Sequence, residues 1–83
     1  MIELAEKIIS ELGFKEFRVR HFEFGNIKLA KLDISKHEMN EIPYGEINLR
    51  LKQLGYDFVT LDLAGLRSGS LNINLKIPEK IKN

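Results

Sequence analysis

The sequence predicts a small α+β domain. It should be a two-layer sandwich in the order α-β-β-α-β(-β), two helices covering one face of a mostly antiparallel sheet of three to four strands. Three observations carry this. Two segments repeat apolar residues at helical spacing, other segments alternate them, and a helix, a Leu-Gly-aromatic turn and a strand occur twice. In the first unit Ile9, Leu12, Gly13, Phe14, Phe17 and Val19 match Leu51, Leu54, Gly55, Tyr56, Val59 and Leu61 of the second. A strand with one buried face implies that the other face of the sheet is open.

The first helix spans 2–12, with Ile2, Ala5, Ile8, Ile9 and Leu12 forming its apolar stripe and Gly13 ending it. Residues 17–24 alternate: Phe17, Val19 and His21 point one way, Arg18, Arg20 and Phe22 the other. Gly25-Asn26 is a turn signal, and 27–34 returns as the second strand of a hairpin. Ser35 is a candidate N-cap with Glu38 as its capping-box partner. Because proline is tolerated at a helix start, the second helix is set at 44–54 behind Pro43, with Ile47, Leu51 and Leu54 buried. Residues 57–64 form the third strand, with Val59, Leu61 and Leu63 inward. Residues 65–70 are a glycine- and serine-rich loop. Leu71, Ile73, Leu75 and Ile77 alternate as a short fourth strand before Pro78. One domain therefore covers 1–77, and 78–83 is a frayed tail.

Composition narrows the function classes. With 83 residues, the chain buries only about 60% of its unfolded surface, so its stability margin is small. A net charge of +1 indicates neither nucleic acid nor an anionic membrane as partner. The absence of cysteine excludes a disulfide framework, a thiolate nucleophile and a zinc ribbon. The acidic, amphipathic start is no signal peptide, and no apolar run approaches the roughly 20 residues of a membrane span. A cytoplasmic location follows as the expectation, and the start Met1-Ile2-Glu3 favours a complete gene product.

The open face carries the candidate site. Arg18 and Arg20, two apart on one strand, stand about 7 Å from each other, close enough to grip one phosphate or carboxylate. The plainer reading pairs them with Asp62 across strands, for at most about 1 kcal/mol. Phe22 and Phe24 beside them suggest a covered surface and are the interface candidates. Arg67, Ser68, Gly69 and Ser70 follow the third strand, where a glycine-opened backbone and two hydroxyls can form an anion nest. They do not make a Walker A loop, whose spacing and lysine are missing. His37 and Glu41 lack a third ligand, so no metal is expected. His21 reads as a hydrogen-bonded, half-buried histidine. No Ser-His-Asp order or nucleophile elbow is present.

The series Leu-Gly-Phe, Phe17-Arg18-Val19-Arg20-His21, Leu-Gly-Tyr, Phe58-Val59-Thr60-Leu61-Asp62-Leu63 and Gly65-Leu66-Arg67-Ser68-Gly69-Ser70 resembles a known family. It is similar to the C-terminal domain of the PP-loop, ATP-dependent sacrificial sulfur transferases, the LarE family, which help mature the nickel-pincer cofactor of lactate racemase. The resemblance implies that Arg18, Arg20 and Arg67 line an anion pocket, with Ser68 and Ser70 as supporting donors. It also implies that family members self-associate. The family's SGGxDS loop and sulfur-donating cysteine have no counterpart here, and Phe22-Glu23-Phe24 adds apolar bulk where the family has Gly-Asp.

The expected function is a stand-alone, non-catalytic anion- or phosphate-binding domain. It needs no cofactor and takes a phosphate-bearing small molecule, in association with a separate PP-loop protein. The alternative is an interaction module that forms a homo-oligomer through the open face. An enzyme in its own right is the third reading, and no catalytic constellation supports it.

Overall fold

The computed structural model describes residues 1–66 of the 83-residue chain. Helix α1 (Ile2–Glu11) is followed by strands β1 (Phe17–Phe24) and β2 (Ile27–Ile34), a 3-10 turn (Lys36–Glu38), helix α2 (Tyr44–Gln53) and strand β3 (Phe58–Leu61). This is the expected α+β order. Among the described residues the sheet runs β1-β2-β3, so there β2 is central and β1 and β3 are its edges.

The β1–β2 pair is an antiparallel hairpin in unbroken register, from Phe17 opposite Ile34 to Phe24 opposite Ile27. Gly25 supplies the positive φ of 61° that a two-residue turn matching the strand twist needs at its first position. The β2–β3 pair is parallel. A mostly antiparallel sheet therefore holds for the hairpin alone among the described residues. The physical reason is α2, a crossover helix that returns the chain to the end of the sheet where β2 began.

Both helices pack on one face. Ala5, Ile8 and Ile9 of α1 and Ile47 and Leu51 of α2 are buried against Val19, Ala30, Leu32 and Ile34. Phe14 and Tyr56, the aromatics of the two repeated turns, are buried in the same core. At roughly 2–5 kcal/mol for truncating a buried Leu or Ile to Ala, this cluster dominates stability.

Two local expectations fail for nameable reasons. Ser35 and Glu38 do not form a capping box. The Ser35 hydroxyl lies 2.9 Å from His37 Nδ1, and the Glu38 carboxylate accepts the backbone N–H groups of Glu16 (3.0 Å) and Lys15 (3.2 Å). These bonds, the one from Glu16 first, hold the Glu38 carboxyl below the usual carboxylate range. Leu63, expected inward, is 81% exposed. β3 stops at Leu61 because Asp62 starts a turn: its carboxylate accepts the Ala64 N–H (2.9 Å) and its carbonyl the Gly65 N–H (3.0 Å). The chain then resumes pairing at Leu66, bridged in parallel to Ser35, where the sequence suggested loop. The fourth strand, the end of the domain at 77 and the tail at 78–83 lie outside the described residues.

Candidate functional site: the open sheet face

Alternation sorts the sheet into two faces. Val19, Ala30 and Leu32 turn to the helices, which leaves Arg18, Arg20, Phe22 and Phe24 of β1 on the other side. Lys31 and Asp33 of β2 and Phe58 and Thr60 of β3 join them by register. The two ends of this open face differ.

The end distant from the hairpin turn is charged. Arg18 stands opposite Asp33, and Arg20 opposite Lys31. The Lys31 ammonium bridges two carboxylates, Asp33 at 3.2 Å and Asp62 at 3.1 Å. Asp33 is only 5% exposed, and a carboxylate that buried requires a cationic or hydrogen-bonding partner, which Lys31 provides. Among the described residues neither arginine pairs with Asp62, whose carboxylate holds the Lys31 ammonium. Among the described residues neither Arg18 nor Arg20 makes an ion pair or side-chain hydrogen bond. Two guanidinium groups therefore stand on the face with their donors uncommitted.

The end near the turn is apolar. Phe22 and Phe24 hold their rings nearly parallel, 10° apart in plane and 6.5 Å between centroids. Both are exposed, as are Ile27 beside them and Phe58 across the sheet.

Beneath this end, on the helix side, His21 joins two partners. Its Nδ1 lies 2.8 Å from the Tyr56 hydroxyl and its Nε2 2.7 Å from Glu23 Oε2. The imidazole and phenol rings meet edge to face at 5.2 Å. Across the sheet from His21 sits Ala30, whose small side chain leaves room for this contact. The hydrogen bond from His21 holds the Glu23 carboxyl below its usual range. Burial pushes the Tyr56 phenol up, and the Glu23 charge adds to it. His21 is thus the hydrogen-bonded, half-buried histidine that the sequence indicated.

Arg67, Ser68, Gly69 and Ser70 lie outside the described residues. The chain reaches them from Leu66, which pairs with Ser35 at the same end of the sheet as the Arg18–Asp33 pair. An apolar recess of about 250 Å³ between α2 and β3 is lined by Ile42, Tyr44, Val59 and Leu61 among others, with no charged side chain. No group of three or more His, Asp or Glu among the described residues is arranged to hold a metal ion. Lys31 and Asp33 are site residues that sequence reasoning missed. Their signal was present: two charges alternating with Ala30, Leu32 and Ile34 inside an otherwise apolar strand.

Fold and face together define a small α+β domain with an open, partly cationic sheet. No family model matches the chain. It is 40% identical over 78 residues to the pyridinium-3,5-bisthiocarboxylic acid mononucleotide synthase of Lactiplantibacillus plantarum, a LarE protein. The match covers 86% of this chain and 25% of that protein, so the chain spans a quarter of the length of this curated relative. The resemblance drawn from the two arginine motifs therefore holds, and the domain is LarE-related.

Proposed function

We propose that this domain binds the phosphate of a small molecule on its open face, through Arg18 and Arg20. The observation that carries the reading is that two neighbouring guanidinium groups, Arg18 exposed and Arg20 half-buried, make no ion pair among the described residues, while Lys31 beside them is held by two carboxylates. A guanidinium presents donors in the planar fork that matches phosphate oxygens. Arg67, Ser68, Gly69 and Ser70 would complete the pocket. The relative's printed activity yields a mononucleotide, which carries such a phosphate. Asp33 and Asp62 would keep the patch from attracting polyanions at large and confine binding to one small anion.

The domain would act without catalysing a reaction itself, in the cytoplasm, with a separate PP-loop protein supplying nucleotide chemistry. A face of this size should bind phosphate alone only at about millimolar Kd, roughly −4 kcal/mol. The test is a titration of the ¹⁵N-labelled chain with phosphate, pyrophosphate and AMP at low salt. Saturable amide shifts on β1 near Arg18 and Arg20 and in 67–70, lost in Arg18→Ala, are expected. Unchanged affinity in Arg18→Ala would assign the anion elsewhere.

A further inference from the structure

The two edges of the sheet differ in how well they are closed to further pairing. β3 is four residues long and is ended by the Asp62 turn. β1 is eight residues long, contains no proline, and keeps an unbroken register with β2, so no bulge twists it away. Edge strands of that length are usually blunted by such devices, because their free N–H and C=O groups are a template for another strand. Among the described residues nothing pairs with the outer side of β1.

We infer that the outer edge of β1 pairs antiparallel with β1 of a second copy of this chain, about a two-fold axis at Phe22, joining the two described three-stranded sheets into one continuous sheet. Self-pairing is isologous, so each contact occurs twice. Side-chain alternation allows only registers that keep the Arg-and-Phe positions on one face. An axis at Arg20 sets two arginines directly opposite. An axis at His21 sets two imidazoles opposite, and Val19 against Glu23. An axis at Phe22 sets ring against ring, Arg20 opposite Phe24 on the open face, and His21 opposite Glu23 on the helix side.

Only the last register is complementary at every position from 20 to 24. Cross-strand aromatic pairs, a guanidinium over a phenylalanine face and an imidazole opposite a carboxylate each favour association. Glu23 is more than half exposed and already faces His21 in its own chain, so the axis gathers two such hydrogen-bonded pairs into one cluster. Phe22 and Phe24, 38% and 62% exposed, supply the apolar area to be covered. A net charge of +1 per chain adds little repulsion between copies. This pairing is argued from the β1 edge and not from the anion site, although Arg20 belongs to both.

Sedimentation equilibrium from micromolar to millimolar protein tests it. A dimer is expected, weakened about tenfold or more by Phe22→Lys, which sets like charges opposite on the axis. Phe24→Lys, placing an ammonium opposite Arg20, should weaken it in the same direction, and circular dichroism checks that each variant is folded. Leu4→Lys, on exposed α1, should leave the dimer unchanged. A monomer at millimolar concentration overturns the inference. So does a dimer indifferent to both β1 variants, or one that only Leu4→Lys disrupts.

Discussion

The charged and apolar ends of the open face are built from the same strands, yet they are held in opposite ways. At the charged end the side chains fix one another: Lys31 spans Asp33 and Asp62, and Asp33 is almost out of water. At the apolar end Phe22, Phe24 and Phe58 touch solvent and are held chiefly by the backbone beneath them. Exposed rings add little to the stability of the isolated chain, whereas a buried carboxylate must keep its partner. Stability is therefore distributed unequally along one surface.

Four perturbations grade this difference. Leu32→Ala, in the core under both ends, should cost about 2–5 kcal/mol and weaken the two alike; urea denaturation measures it. Asp33→Ala should cost about 1–3 kcal/mol by leaving Lys31 with one carboxylate, and should alter amide shifts at Arg18 and Lys31 while those of Phe24 stay put. Gly65→Ala should destabilise by about 1–3 kcal/mol at the charged end. Its φ is +82°, and a Cβ there would lie 2.9 Å from Lys36 Cγ and 3.0 Å from the Ile34 carbonyl oxygen. Phe24→Ala should change stability by under about 0.5 kcal/mol, an equality with the parent that a calorimetric scan can establish.

Acid should act first through carboxylates whose hydrogen bonds tie segments together. The Glu23 and Glu38 carboxyls both lie below their usual value of 4.5 in the folded chain. A depressed folded value means that the contribution is present above the unfolded value and is lost as pH falls through the folded one. Stability should therefore decline below about pH 4.5, and His21→Ala should remove the Glu23 share. Carboxyl ¹³C titrations by NMR would follow each group separately.

The elements that could be read from sequence were those set by local pattern. The stripe Ala5-Ile8-Ile9, the Gly25-Asn26 turn and the alternation of β1 each need only near neighbours in the chain. So did the separation of Arg18 and Arg20 from Val19. What escaped required partners from elsewhere. Whether β3 ran parallel depended on where α2 returned the chain. Whether Leu63 faced inward depended on the Asp62 carboxylate finding the Ala64 N–H. The roles of Lys31 and Asp33 depended on Asp62, a strand away. The same distance explains Glu38, whose pattern fits a cap but whose carboxylate found better donors in the α1–β1 connection.

The central position of β2 also sets an order of assembly. Its antiparallel neighbour is two residues away through the turn, while its parallel neighbour is reached only after the whole of α2 has been laid down. Closing the short loop costs less chain entropy, so the hairpin can form before β3 docks. In the folded chain the reverse holds, and the last strand in should be the first out. Under native-state hydrogen exchange the four residues of β3 are expected to open at lower free energy than the eight of β2, and to take the Lys31–Asp62 contact with them.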